Sequence, residues 1–326
     1  MLRSPALLVS ALLACSALNP GVLLAQDSYP SKPIRLILTM PAGSGTDVIM
    51  RKGGPDLAAR MGQPWIIENR PGANSAIVGE VCARSAPDGY TVCNANFDMM
   101  SNNPHIFAKL PYDPDKDLKA VTNLFFLIEG LFTKTALPVK SVTELKALAT
   151  AKSGSLNLGT FGPHSNPDLF RQWLTDYWKT DVVGIPYKGG NLIIAALAAG
   201  EIDIAKIGAY NAIPQMQAKK VNLLAVTSAK RLRLHPEVPT MAEVGLDGYS
   251  IKGWQGLVAP FATPDPIVRR ISSEFVRLFN EPSFAAFLET QYVEIAVSAP
   301  EEFAAFLKED RARAGQVVRQ FNIPRQ

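Results

Sequence analysis

Apolar residues form short runs that end at glycine-rich turns and resume with helical spacing. The first such unit has an apolar run at 34–39, a turn at 41–47, and apolar positions at Val48, Ile49 and Leu57. This order predicts a strand, a glycine loop and a helix. The first N–H groups of a helix have no partner within it, and the helix dipole is positive there. The loop is therefore a candidate anion site, although a tight turn that binds no ligand remains an alternative.

A second unit of the same kind follows. Trp65–Asn69 predicts a strand, 70–75 a turn, and the apolar positions from Ala76 onward a helix. Two successive units of this type form a parallel sheet with both helix N-termini at the carboxyl ends of the strands, where open α/β sheets bind ligands. The first loop lacks the lysine of a Walker loop and the last glycine of a dinucleotide fingerprint, so it does not indicate a nucleotide site.

A third unit lies in a different part of the chain. A strand at 155–159 is followed by a loop at 160–168 and then by a helical pattern. A further strand, which begins at residue 90, ends in the polar side chains Asn94 and Asn96. The alternation of strands and helices predicts an α/β fold with helices on both faces of two sheets.

The amino-acid composition argues against several classes of protein. The hydrophobic fraction is 47% and the charged fraction 19%, which supports a folded core and argues against disorder. The formal net charge is +4 without a dense basic run, so a nucleic acid is not expected as a partner. His105 has no spaced partner and the chain has no Cys-x-x-Cys motif, so we expect no metal site.

Residues 1–25 are predicted to be an export signal. Arg3 gives a positive start, and 6–14 form an apolar stretch of the right length. This stretch is shorter than the ~20 residues that a membrane span needs. Cleavage after Ala25, which we favour, predicts a soluble periplasmic protein. Cleavage before Cys15 would instead leave a lipid anchor on that cysteine.

Two further cysteines remain in the mature chain. Cys82 is predicted to lie on the helix after the second loop, and Cys93 on the next strand. The oxidising periplasm permits a disulfide between them, but its formation depends on a Cα separation that the sequence does not give. The sequence therefore leaves two alternatives open, a disulfide or two free buried thiols.

Ten short segments of the mature chain form an ordered set. They are KPIRLI at 32–37, PAGSGTD at 41–47, ENRPGA at 68–73, APDGYT at 86–91, LPYDP at 110–114, PYKGG at 186–190, GEID at 200–203, AVTSAKR at 225–231, VPT at 238–240 and WQGL at 254–257. Each segment is common alone, but the ordered set is highly specific. In this set the chain resembles the substrate-binding proteins of tripartite tricarboxylate transporters, the Bug family of solute receptors.

The resemblance implies a type II periplasmic binding protein fold, with two doubly wound α/β lobes around a ligand cleft. We expect 26–128 and 251–326 to form the first lobe and 129–250 the second, with crossings near 125–130 and 245–253. The implied function is to capture a small organic carboxylate and deliver it to membrane transporter subunits. No catalysis, cofactor or metal is implied, and we expect a monomer.

The resemblance and the predicted strand ends together give a set of candidate ligand-binding residues. In this family the first loop holds a ligand carboxylate through main-chain N–H groups and bound water. The candidates are Ala42, Gly43, Ser44, Gly45, Asp47, Asn74, Ser75, Asn94, Asn96, Phe161, Gly162, His164, Ser165 and Lys206.

Three of the candidates carry charge and have more than one interpretation. Asp47 would repel an anion, so it caps the loop, holds a water or pairs with a ligand amine; an ordinary first-turn aspartate is the simplest alternative. His164 occupies a position where the family has glycine, which leaves the specificity of this loop open. Lys206 reaches either the cleft or the protein surface.

Two other classes of protein are alternatives. A periplasmic α/β hydrolase or transferase is one, but the chain has no Gly-x-Ser-x-Gly elbow and no His-Glu-x-x-His motif. A ligand-sensing subunit of a signalling system is the other, and its cleft would have the same sequence features as that of a transport receptor.

Overall fold

The computed structural model describes residues 29–249 and 251–325, and the predicted export signal and Cys15 lie outside these ranges. The described strands are β1 (Ile34–Leu38), β2 (Trp65–Asn69), β3 (Thr91–Asn96), β4 (Leu118–Leu127), β5 (Glu129–Lys134), β6 (Asn157–Thr160), β7 (Val183–Pro186), β8 (Ile204–Gly208), β9 (Val221–Val226), β10 (Trp254–Pro260) and β11 (Val293–Ile295). The helices are α1 (Gly45–Met61), α2 (Ala76–Ala83), α3 (Asn103–Ile106), α4 (Val142–Ala151), α5 (Asn166–Trp178), α6 (Gly190–Ala199), α7 (Ile213–Gln217), α8 (Asp265–Phe279), α9 (Pro282–Thr290) and α10 (Pro300–Gln320).

The strands form two mixed sheets. The first has the order β11-β4-β10-β3-β1-β2, and the second has the order β7-β6-β8-β5-β9. The pairs predicted from the βα units are parallel, namely β1 with β2 and β3, and β6 with β7 and β8. The strands next to the crossings, β4, β5 and β10, pair antiparallel with their neighbours. The expectation of parallel pairing thus holds for the βα units and fails for strands that enter or leave a sheet.

The two sheets are connected at two places. β4 ends at Leu127 and β5 begins at Glu129, so Ile128 alone forms the first crossing, inside the window predicted from the sequence. The chain returns to the first sheet between β9 and β10. Leu127 N donates to Gly253 O at 2.9 Å, which ties the first crossing to the residue before β10. The lobe boundaries after 128 and 250 stay a prediction.

Helices cover both faces of the first sheet. Leu36 and Leu38 join one buried apolar cluster and Ile37 joins another, as expected for a strand buried on both faces. α8 and α10 contact β4, and α9 contacts β11, so the C-terminal helices pack on the first sheet. In α8, Ile271 and Phe275 are fully buried four residues apart. Each such side chain stabilises the fold by ~1.5–3 kcal/mol.

A disulfide joins α2 to β3. The Cα atoms of Cys82 and Cys93 are 6.1 Å apart, within the range that the bond requires. The disulfide is therefore the correct one of the two alternatives that the sequence left open for these cysteines. Within 29–249 and 251–325, no helix has the length and apolar character to cross a membrane, and no three potential metal ligands are grouped together.

Candidate functional site between the two sheets

The first glycine loop connects β1 to α1 and is closed by its own side chains. Ser44 is the N-cap residue of α1, and its Oγ accepts a hydrogen bond from Asp47 N at 3.3 Å. Asp47 Oδ2 accepts from Gly43 N at 2.9 Å. Gly43 has a φ of +76°, a left-handed conformation that glycine adopts without strain. The loop therefore presents the N-terminus of α1 in a fixed orientation.

Asp47 acts as a cap within the first loop. Its Oδ1 accepts from Arg51 Nε and from Asn69 Nδ2, each at 2.9 Å. Burial raises the pKa of the Asp47 carboxyl, but the hydrogen bonds from Arg51, Gly43 and Asn69 outweigh burial and leave the pKa below its usual value. Because both carboxylate oxygens are hydrogen-bonded within this loop and its neighbours, capping is the interpretation that the contacts favour.

The loop of the third predicted unit, which connects β6 to α5, repeats this arrangement. His164 N donates to Asp168 Oδ2 at 2.8 Å, and Arg171 Nε donates to Asp168 Oδ1 at 2.6 Å. α5 begins at Asn166, three residues before the predicted start. The two loops thus share a Ser-x-x-Asp sequence and the same backbone contact to the aspartate.

His164 occupies the left-handed position that Gly43 occupies in the first loop, with a φ of +61°. Its Nδ1 lies 3.2 Å from Gln172 Nε2 on α5. Burial and Arg171 lower the pKa of the imidazole, while Asp168 raises it, and the net pKa lies below the usual value. The side chain therefore contacts α5, and the lowered pKa disfavours the charged imidazole.

The two loops contact the opposite side of the cleft through their first helical residues. Gly45 N of α1 donates to Asn211 Oδ1 at 3.2 Å, and Asn166 N of α5 donates to Asp98 Oδ1 at 3.1 Å. A Cβ atom on Gly45 would lie 1.5 Å from the ring of Tyr210. The cleft is therefore closed, and each helix N-terminus is hydrogen-bonded to an oxygen from across it.

The turn before α2 forms a third wall of the cleft. Asn74 and Ser75 have φ values of +48° and +67°, an uncommon conformation that is often found at functional sites. Asn96 Nδ2 donates to Ser75 Oγ at 2.9 Å, and Asn74 Nδ2 donates across the cleft to Pro163 O at 3.2 Å. Asn94 is fully buried and bonded to Thr39 Oγ1 and Gly256 O, so it supports the sheet.

Two neighbouring cavities remain in the closed cleft. One measures about 40 Å³ and the other about 20 Å³, enough for a few water molecules. Met40, Asp98 and Phe161 border both cavities, so the two cavities are adjacent. Any larger ligand therefore needs the lobes to open.

Two buried carboxylates border the larger cavity. Glu129 Oε2 lies 2.5 Å from Lys206 Nζ, and Lys206 also lies over the rings of Phe170 and Tyr249 at 5.4 and 4.9 Å. Burial and the negative charge of Glu129 raise the pKa of Asp98 to about 7, against the opposing effects of its hydrogen bonds and of Lys206. Lys206 is fully buried, so it does not reach the surface.

The predicted site residues divide into three groups. Asn74, Ser75, Asn96 and Phe161 border the cavities. Gly45 contacts the opposite wall directly, and Ala42 and His164 do so through their carbonyl oxygens, which accept from Asn191 and Asn102. The others border neither cavity and are Gly43, Ser44, Asp47, Asn94, Gly162, Ser165 and Lys206.

Sequence reasoning missed several residues that the structure brings to the cleft. Asp98 follows Asn96 at the end of β3, so its position at a strand end was a usable signal. Glu129 lies in an otherwise apolar run, where a lone charge marks a buried site. Asn211 and Gln255 carried no such signal, because only the folded chain brings them near the loops.

Two α/β lobes that meet at a cleft define a periplasmic binding protein of type II. The family model described as "Tripartite tricarboxylate transporter family receptor" matches residues 49–323. The chain belongs to this receptor family.

Relatives found by sequence and by structure support this assignment. A UPF0065 protein of Bordetella pertussis is 29% identical over 297 residues, which cover 91% of this chain and 92% of that protein. Rpa4515 of R. palustris, solved with adipate, is 25% identical with a TM-score of 0.87, over 91% of this chain and 100% of that one. MatC of Rhodopseudomonas palustris, solved with malate, is 27% identical with a TM-score of 0.82, over 89% and 100%.

Proposed function

We propose that this protein is the periplasmic receptor of a tripartite tricarboxylate-type transporter and that its cleft binds a small organic carboxylate. One observation carries the proposal. The N-termini of α1 and α5 face the cleft, and each first N–H group is bonded to an oxygen from the opposite wall. Helix N-termini favour anionic oxygens, so a ligand carboxylate can replace one of these internal oxygens. The relatives solved with adipate and malate support the same ligand class.

The proposed binding residues follow from this geometry. The loop residues Ala42, Gly43, Ser44 and Gly45 offer backbone groups, with Asp47 as their cap. We assign direct roles to Asn74, Ser75, Asn96 and Phe161, which border the cavities, and supporting roles to Asn94, Gly162, His164, Ser165 and Lys206.

We further propose the lobe division expected from the sequence, with 26–128 and 251–326 in one lobe and 129–250 in the other. The receptor acts as an exported monomer that presents its ligand to the membrane subunits and performs no chemistry. A role in ligand sensing uses the same cleft, and disruption of the transporter genes distinguishes it from transport.

A thermal-shift screen of the mature chain tests this function. Mono-, di- and tricarboxylates are compared with the matched neutral amides. A ligand at 100 times its Kd stabilises the native state by about 2.7 kcal/mol, a readily measured rise in Tm. We expect carboxylates alone to raise Tm. Equal rises with the neutral amides, or none with any acid, would contradict the proposal.

A further inference from the structure

One end of the cleft is lined by hydrogen-bond acceptors. Asp98, Glu129 and Gln255 border the larger cavity, and we name these three residues the acceptor end. All three are at least 95% buried. A ligand group placed here therefore meets carboxylate and amide oxygens in a site that excludes bulk water.

The charges at the acceptor end do not cancel. Lys206 pairs with Glu129, so this buried pair is balanced. The hydrogen bonds to Asp98 come from two neutral groups, Asn102 Nδ2 at 3.2 Å and Asn166 N at 3.1 Å. Among the described residues Asp98 thus has no ion-pair partner of its own, and a buried carboxylate of this kind favours a cationic partner.

Gln255 supplies an independent observation. Its side chain is 1% exposed, and its Oε1 has no hydrogen-bond partner among the described residues. Buried acceptors without partners are rare and destabilising in folded proteins. Because Gln255 also borders the cavity, the missing donor is expected to come from a bound ligand.

The other end of the cleft carries hydrogen-bond donors. Ser75, Tyr187 and Lys188 border the smaller cavity, which Asp98 also borders, and we name these three residues the donor end. Ser75 Oγ accepts from Asn96 Nδ2, which leaves its hydroxyl proton for a ligand. Lys188 is exposed and brings a positive charge to the border of this cavity. This end suits a carboxylate.

We propose that the ligand is an amino-carboxylate, bound with its ammonium group at the acceptor end and its carboxylate at the donor end. This rests on the proposed function, in which the cleft binds a small carboxylate. An ammonium group has three donors and no acceptor, which matches three acceptors. A second carboxylate at the same place would meet Asp98, and two neighbouring carboxylates repel. Phe97, Phe161 and Trp254 give the cavity apolar walls for a methylene chain.

Calorimetry with matched pairs of ligands tests the proposal. The pairs are 4-aminobutanoate with succinate, 5-aminopentanoate with glutarate, and 6-aminohexanoate with adipate. Within each pair only the terminal group differs. We expect the amino-carboxylate of the best-fitting length to bind about tenfold or more tightly than its dicarboxylate, since a charge-assisted hydrogen bond replaces a repulsion.

Two variants test which residues cause the preference for an amino-carboxylate over a dicarboxylate. In Asp98→Asn we expect the affinity for the amino-carboxylate to fall about tenfold or more, and that for the dicarboxylate to stay or rise. Gln255→Met removes the unpartnered oxygen and is expected to lower only the amino-carboxylate affinity, by about fivefold. Asp176→Asn is the matched control, because Asp176 is an exposed carboxylate on the same helix as Asn166. We expect it to bind as the wild type does.

The outcomes separate this inference from the function on which it rests. If the dicarboxylates bind more tightly and Asp98→Asn leaves the ratio unchanged, the inference is overturned and carboxylate binding stands. If neither class binds to folded protein, both fail. If Asp98→Asn does not fold, the ratio measured in Gln255→Met decides, and an unchanged ratio there overturns the inference.

Discussion

The loops at 43–47 and 164–168 show how one backbone design is completed in two ways. Both place a serine before the first helical residue and an aspartate three residues later, which accepts from the residue before the serine. They differ in the oxygen that crosses the cleft to the helix. α1 receives the neutral amide of Asn211, whereas α5 receives the carboxylate of Asp98. The shared geometry builds the site, and the crossing oxygen sets its charge.

The largest expected effect comes from blocking the contact at the first loop. Gly45→Val places side-chain atoms where the Tyr210 ring lies, so the lobes cannot reach the closed arrangement. If closure falls below about 1% of molecules, the apparent affinity for a carboxylate falls about 100-fold. Calorimetry measures this. Gly54→Ala in the same helix is the control, because its Cβ would contact nothing within 4 Å. Wild-type affinity in Gly45→Val would show that ligand binding does not need this closed state.

The second effect concerns the two oxygens that cross the cleft. The carboxylate of Asp98 can titrate, whereas the amide of Asn211 cannot. The folded protein raises the pKa of Asp98 to about 7, well above its value in the unfolded chain. The folded state therefore binds the extra proton between about pH 4 and 7, and the stability from this group is lost as the pH rises through 7. Between pH 5 and 8 this loss is on the order of 2–3 kcal/mol, and we expect Asp98→Asn to abolish it.

Urea unfolding of the wild type, Asp98→Asn and Asp176→Asn across this pH range provides the measurement. The control variant is expected to keep the slope of the wild type. The same slope in Asp98→Asn would show that the crossing carboxylate does not titrate in this range.

The smallest effect concerns the left-handed residue in each loop. Gly43→Ala forces a side chain to a φ of +76° in open space, so it isolates backbone strain of about 1 kcal/mol. His164→Gly relieves such strain, but it increases the conformational entropy of the unfolded chain and removes the contact to Gln172. We expect its net change to stay within about 0.5 kcal/mol. The urea midpoints of the two variants are compared with that of the wild type. Equal losses of stability in both variants would show that the left-handed residue does not have the same role in the two loops.

Local sequence signals account for much of the fold. β2 has the predicted bounds Trp65–Asn69, and Gly200 ends α6 in a left-handed conformation, as a glycine after a helical pattern should. Ser141 caps α4 through Glu144 N. These features depend on neighbours within a few residues, which a single sequence displays.

The contacts across the cleft could not be predicted in this way. Asp98 and Asn166 are 68 residues apart, and Gly45 and Asn211 are 166 apart. Their pairing depends on how the two sheets are placed, and antiparallel strands at the crossings set that placement. The repeated Ser-x-x-Asp pattern was a local signal, and comparing 44–47 with 165–168 would have shown that the loops match.

The single-residue crossing at Ile128 limits how the receptor can move. β4 and β5 are held in their own sheets up to the residues on either side, and the hydrogen bond from Leu127 to Gly253 keeps the second connection beside the first. Sliding of one lobe along the other would break these bonds, whereas rotation about them changes only a few backbone dihedral angles. These contacts favour opening by rotation about an axis near the two connections, and groups far from that axis travel furthest. A ligand near the axis needs a larger rotation to gain the same gap, so selection by size is strictest there.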